Sequence, residues 1–383
     1  MSYEMSRHNP LRIAVGQDSL KWHTQFAVAL DVKIEHGYPV QYQVLNLDCH
    51  DWIDRLAPFD LIIWKPNVLS VEPVSYFKEK IYFIETFLQK KVVPNFDTVW
   101  HYDSKIAQSY IFHLCKINSP VTTVSFDYRD AVEQLQNAEL PVVWKKSWGA
   151  GSRNVRLFDN RKKMMQEISR TFFQSIWNEA KPRYSSVWSH ALAQVAKPWF
   201  WRKVLQKVRG YHSHADRHGV VYWQKFIPGN SADLRITVIG DEFAYGAWRN
   251  NRPNDFRASG SGNGDFVREV PESVVKYCLA INRHLNFDSM AYDIIFDKDG
   301  FYITEMSYAY VDSFLHNCQG YYRTNEDDSL SFVEGNIWPQ QLWVEWALKR
   351  AATCRKSGRV DYHPSGARTT SVGDAGTCYE THS

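Results

Sequence analysis

The stretch Met290-Ala-Tyr-Asp-Ile-Ile-Phe-Asp-Lys-Asp-Gly-Phe-Tyr-Ile-Thr-Glu-Met-Ser307 holds two runs of β-branched and aromatic residues, Tyr292 to Phe296 and Phe301 to Thr304, joined by the turn sequence Asp-Lys-Asp-Gly. It reads as a β-hairpin. A three-residue loop, Lys298-Asp299-Gly300 with Gly300 left-handed, pairs Asp297 with Phe301 and carries Asp293 opposite Glu305. Side chains alternate with period two, so Ser307 joins Glu305 on that face while Ile294 and Thr304 point away. A four-residue loop would shift the register by one and put the acids on opposite faces. Like charges set opposite each other destabilise a sheet, so the pairing implies a cation. Mg²⁺, a hard ion bound through carboxylates and substrate phosphates, is the expected one, with Mn²⁺ as the alternative. A solvated hairpin rim is the competing interpretation.

The remaining text sets the context. At 383 residues, with 44% hydrophobic and 15% aromatic residues, the chain can build two or three packed units around sizeable cores. A net charge of +3 is too small to require a nucleic-acid partner. The six cysteines are scattered without a Cys-x-x-Cys pair, which argues against a disulfide framework or a zinc site and for a reducing, cytoplasmic setting. No apolar run approaches the roughly 18 residues a membrane helix needs, so no membrane partner is expected.

From Leu11 to about Pro120, strands at 11–15, 41–45, 61–64 and 92–94 alternate with helical patterns, notably Val74 to Gln89 and His101 to Lys116, the latter opening at Asp103. This is the pattern of a doubly wound α/β unit spanning 1–120. A second, smaller unit over 121–226 has strand 142–145, a glycine loop and strand 154–158, and carries a basic helical insert, 160–219. That insert could grip a polyanion or simply present solvated faces. Its His212, His214 and His218 lack a neighbouring carboxylate or cysteine, which argues against a metal there. Residues 227–353 read as antiparallel strands followed by a helix from Pro339 to Lys349, and 354–383 as a disordered tail. The fold class is thus α/β joined to α+β.

Strand Val142 to Lys145 runs into Ser-Trp-Gly-Ala-Gly-Ser-Arg153 without the Gly-Lys-Ser/Thr of a Walker loop or a Gly-x-Gly-x-x-Gly before a helix. The ordered set Lys105, Lys145 with its glycine loop, Gln224-Lys-Phe-Ile227, Asp233-Leu-Arg235, Asp255-Phe-Arg-Ala-Ser259, Asp293 and Glu305 resembles the ATP-grasp enzymes from about Leu11 to Leu348. Within them it is most similar to the ribosomal-protein glutamate ligase branch of carboxylate-amine ligases, with tubulin-tyrosine ligases more distant. The resemblance implies a pre-grasp domain over 1–120, a lid subdomain over 121–226 and a metal-bearing subdomain over 227–353. It implies that Lys105, Lys145, Gly149, Gly151 and Ser152 hold ATP phosphates, and that Gln224 to Ile227 link the two halves, the backbone of Lys225 and Phe226 reading the adenine edge. Asp233 would contact the nucleotide, Arg257 and Ser259 would lie near the γ-phosphate and acceptor, and Asp293 and Glu305 would be Mg²⁺ ligands. Two positions depart from the family pattern. Ser307 stands where Asn is usual, so its metal contact is either direct or through water, and Lys225 replaces a common Glu.

The expected activity is an ATP- and Mg²⁺-dependent ligase that forms an amide through an acyl phosphate. Arg257, Arg235 and Arg249 would stabilise the transferring phosphoryl group or the oxyanion, and Arg249 and Arg252 would bind a carboxylate. The partners would be a small-molecule, peptide or glycan carboxylate and an amine acceptor, and the oligomeric state stays open, a homodimer included. A kinase with Asp255 or Asp265 as base, and a catalytically weak ATP-binding regulatory module, are the alternatives.

Overall fold

Short branched apolar runs form β1 (Leu11–Gly16), β2 (Val40–Leu45), β3 (Leu61–Ile63) and β4 (Lys91–Val93), and between them lie α1 (Trp22–Glu35), α2 (Trp52–Leu56) and α3 (Ser75–Thr86). The computed structural model describes residues 10–66, 75–146, 155–180, 219–253, 255–258 and 262–356. The four strands pair in parallel in the order β2-β1-β3-β4. β3 is buried along its whole length, as a parallel strand covered by helices must be. Next come α4 (Phe96–Val99) and α5 (Lys105–Leu114). Ser104, not Asp103, caps α5: its hydroxyl accepts the Ala107 N–H at 3.2 Å, while Asp103 turns the chain at φ 57°.

The middle of the chain is a second, antiparallel sheet in the order β5-β8-β6-β7, built from β5 (Thr122–Ser125), β6 (Val142–Lys145), β7 (Val155–Phe158) and β8 (Val221–Lys225). Against it lie α6 (Tyr128–Asn137), capped by the Asp127 carboxylate, and α7 (Arg161–Ala180). Their apolar faces enclose Trp144, Trp223, Met164, Ile168 and Phe172. Of the basic insert, α7 is described; its three histidines, like the tail after Lys356, lie outside the described residues.

The third sheet is antiparallel and seven-stranded, ordered β13-β12-β9-β10-β14-β15 with β11 beside β10. Its strands are β9 (Ala232–Ile239), β10 (Phe243–Asn250), β11 (Gly264–Asp265), β12 (Ser289–Asp297), β13 (Gly300–Ser307), β14 (Gly320–Thr324) and β15 (Leu330–Glu334). Three helices accompany it: α8 (Glu272–His284), α9 (Asp312–His316) and α10 (Pro339–Lys356). α8, β14 and β15 lie outside the elements expected from the sequence. α1 packs on α10 through Trp22, Phe26 and Trp343, with ring centroids 5.9–6.1 Å apart, so the first and third sheets share a core. Among the described residues no helix is long and apolar enough to cross a membrane.

The hairpin β12–β13 differs from the expected one in its loop. Asp297 pairs with Gly300, leaving a two-residue loop, Lys298-Asp299, held by the Asp297 carboxylate, which accepts the N–H groups of Asp299 at 2.8 Å and Gly300 at 3.0 Å. Continued unbroken, that register would set Asp293 opposite Thr304. A bulge at Asp293/Ile294 takes up Thr304 as the extra residue, and Asp293 faces Glu305 after all. Ile294 points into the core as expected, whereas Thr304 turns its carbonyl to Lys145 and donates its hydroxyl to the Asp293 carbonyl.

Candidate active site

The second and third sheets face each other across a cleft of about 130 Å³, with the start of α5 at its edge. Lys105 enters from the first turn of α5 and Lys145 from the end of β6, both largely buried. The Lys105 ammonium lies 3.6 Å from a Glu305 carboxylate oxygen, and Lys145 donates to the Thr304 carbonyl at 3.3 Å. Burial pulls the Lys145 ammonium down to about 8; Glu305 partly offsets this, and neighbouring Lys105 adds to it. Lys146 and Arg257 also line the cleft, so with Lys105 and Lys145 four cationic side chains meet three carboxylates, Asp233, Asp293 and Glu305. Such an excess suits a polyphosphate.

The floor of the cleft is a charged lattice dictated by sheet register. Arg235 lies opposite Asp293 and Asp293 opposite Glu305, while Arg249 lies opposite Asp233. Arg235 donates Nε and Nη2 to the two Asp293 oxygens at 2.8 and 3.0 Å. Arg249 does the same to Asp233 at 2.7 and 2.6 Å, and its Nη2 also reaches Asp293 at 2.8 Å. Burial alone would raise the Asp293 carboxyl, but Arg235 and Arg249 overcome it and hold it at about 2. Burial pushes Asp233 up from the usual carboxylate range, with Arg249 pulling the other way. Arg235 and Arg249 thus pair with acids in the sheet, and the substrate-facing role expected of them would require these pairs to exchange. Asp233 lines the cleft with both oxygens held by Arg249.

Arg257 is different. It sits on the loop after β10 and is bound to Asp255 two residues earlier, at 2.6 Å. Hydrogen bonding to Arg257 lowers the Asp255 carboxyl, which makes it a poor base, and the Asp265 carboxylate caps the turn at Val267 and Arg268. Arg252 adjoins through its backbone, which bonds to Arg257 and Asp255. On the linking strand, Gln224 is buried with its amide on Thr122, but the Lys225 and Phe226 N–H groups already donate to Val121 and Pro141, which removes them as donors to an adenine edge. Ile227 follows them in the cleft lining, and Phe226 meets Phe256 edge to face at 5.7 Å. The Lys225 side chain turns out to the exposed Glu139, at 2.6 Å. Gly149, Gly151, Ser152 and Ser259 lie outside the described residues.

Behind the acid pair lies a second cavity of about 150 Å³, lined by Tyr102, Asp103, Gln108, Arg235, Asp293, Glu305 and Ser307 among others. Ser307 therefore joins the acids as expected, its Oγ accepting the Ala309 N–H at 3.2 Å. From the sequence Asp103 has only a helix-opening role and Gln108 none; the left-handed turn that sets Asp103 at this cavity is not legible from its neighbours. Among the described residues no three His, Cys, Asp or Glu side chains cluster as a metal site. The donors that do converge, the Asp293 and Glu305 carboxylates and the Ser307 hydroxyl, are all oxygen. They fit a hard cation that takes its remaining ligands from phosphates.

No protein-family model matches the sequence. The α-aminoadipate–LysW ligase LysX of Saccharolobus solfataricus is 23% identical over 277 residues, 71% of this chain and 85% of that protein. The RiPP-associated ATP-grasp ligase of Chryseobacterium gregarium, solved with ADP and a leader and core peptide, superposes with a TM-score of 0.51 at 13% identity over 89% of this chain and 97% of its own. The macrocyclase MdnC of Microcystis aeruginosa MRC, solved with precursor peptide MdnA, gives 0.51 at 12% identity over 88% and 100%. The chain has the ATP-grasp fold.

Proposed function

We propose that the protein is an ATP-dependent carboxylate-amine ligase. The observation that carries this is the cleft itself, where Lys105 and Lys145 converge on an acid pair held by register, with the linking strand alongside. Likeness to proteins named as ligases supports the same activity. Lys105 and Lys145 neutralise the phosphates, and the Ile227 N–H, next along from the two spent donors, reads the adenine edge. Asp293, Glu305 and Ser307 would hold Mg²⁺, which when bound screens the phosphates and polarises the γ-phosphoryl group. Arg257 steadies the phosphoryl group as it passes to the substrate carboxylate. The amine nitrogen then bonds to the carbonyl carbon, the C–O bond to phosphate breaks with its electron pair, and the nitrogen gives up a proton. The acid is a small molecule or a peptide or glycan carboxylate.

A kinase would need a base beside the acceptor hydroxyl, and the candidates Asp255 and Asp265 are engaged with Arg257 and with backbone N–H groups. Hydroxylamine decides between the two. With ATP, Mg²⁺ and a panel of carboxylic acids, a ligase yields a hydroxamate and ADP. A phosphorylated alcohol with no hydroxamate overturns the proposal. Glu305→Gln should keep the circular dichroism spectrum and lose Mg²⁺-dependent ADP release; unchanged turnover would remove Glu305 from the metal set.

A further inference from the structure

The side chains in direct ion-pair contact around the acid pair already balance before any ligand arrives. Arg235, Arg249 and Lys105 face Asp233, Asp293 and Glu305, all within 4 Å ion-pair contact. Both Asp293 oxygens are in guanidinium hydrogen bonds, so a divalent cation bound there alone would displace one guanidinium and leave a buried excess of two positive charges. Uncompensated buried charge is strongly unfavourable. Incoming phosphates supply the missing negative charge.

The two arginines are not equivalent. Arg249 bridges Asp233 and Asp293, so it keeps a bidentate partner when Asp293 turns away. Arg235 has its bidentate contact with Asp293 alone, and it lines the second cavity. Resting on the reading of the cleft as an ATP site, we propose that Arg235 and Arg249 are internal counter-ions that make divalent-metal binding conditional on nucleotide. Asp233 is the positioning residue that retains Arg249 when Asp293 engages the metal. With Asp293 engaged elsewhere, the Arg235 guanidinium would be left facing the second cavity it already lines, where a substrate oxyanion would meet it.

The test measures Mn²⁺ binding to the full chain by water-proton relaxation, with and without saturating AMP-PNP, beside calorimetric binding of AMP-PNP in EDTA. Saturating AMP-PNP should tighten Mn²⁺ retention by tenfold or more. Arg235→Gln should tighten nucleotide-free Mn²⁺ binding by about tenfold, the equivalent of about 1.4 kcal/mol, because Asp293 loses a competitor. Asp233→Asn should weaken Mn²⁺ retention in the AMP-PNP complex by more than it weakens AMP-PNP binding in EDTA. A merely structural role would weaken Mn²⁺ binding in both variants. Nucleotide-free Mn²⁺ binding by the unaltered protein within about threefold of that with AMP-PNP overturns the inference, as does weaker binding by Arg235→Gln. Absence of AMP-PNP binding would instead remove the ATP site itself, and the conditional role with it.

Discussion

Arg249 and Arg257 are both cationic residues at one cleft, yet the backbone gives them opposite tasks. Arg249 stands on a central strand, nearly buried, opposite Asp233, and touches two carboxylates at 2.6–2.8 Å. Arg257 stands on a loop, more exposed, with its carboxylate partner only two residues away. A cation held between two buried carboxylates shapes the acid pair and cannot leave both without stranding them uncompensated. A cation whose partner travels on the same loop can turn to a ligand with little cost to the fold.

The comparison breaks most visibly on substitution of Arg249. Arg249→Met should lower unfolding free energy by about 3–5 kcal/mol, because it leaves buried Asp233 and Asp293 short of a counter-ion. Urea denaturation checks this, and a change below about 1 kcal/mol would mean the lattice is not holding the sheet. Arg257→Ala should leave the urea midpoint where it is and lower kcat by about a hundredfold with little change in KM for ATP. An equal loss in kcat and stability would erase the distinction between loop and strand.

Lys145 lies between these extremes, anchored on a strand but aimed into the cleft. Its ammonium is held at about 8 against the ordinary 10.5, chiefly by burial. As pH rises the folded protein loses this proton first. Between about 8 and 10.5 the unfolded chain therefore binds more protons, and this group's contribution to stability rises with pH; below 8 the penalty is complete. Phosphates favour the charged form, so nucleotide binding above pH 8 should take up a proton and weaken by about three- to tenfold per pH unit. Calorimetry in buffers of different ionisation enthalpy reads the uptake, which Lys145→Met should abolish. The smallest effect belongs to Lys225→Ala. Its pair with Glu139 is exposed, so neither Tm nor ATP affinity should shift measurably, and a large rise in KM would mean the side chain reaches the base.

Local chemistry announced much of this protein. The strands of the first sheet, the helix at 75–86 and the hairpin that carries Asp293 and Glu305 follow from periodicity and turn residues, which act over a few positions. Yet the acids meet because a bulge at Thr304 compensates for a shorter loop, and a bulge has no signature in neighbouring residues. The cap at Ser104 rather than Asp103 was ambiguous for the same reason, since both residue types cap helices.

What the sequence determined by itself was the inventory: two lysines, a linking strand, a basic loop and an acid pair, in an order that resembles one superfamily. Which cation faces which anion was decided only by the tertiary structure. Arg249 lies across a single hairpin from Asp233, but Arg235 lies 58 residues from Asp293, and only the pairing of β9 with β12 brings that acid to the same face. Ion pairing depends on distance in space, and sequence spacing fixes that distance only within a helix turn or a single hairpin.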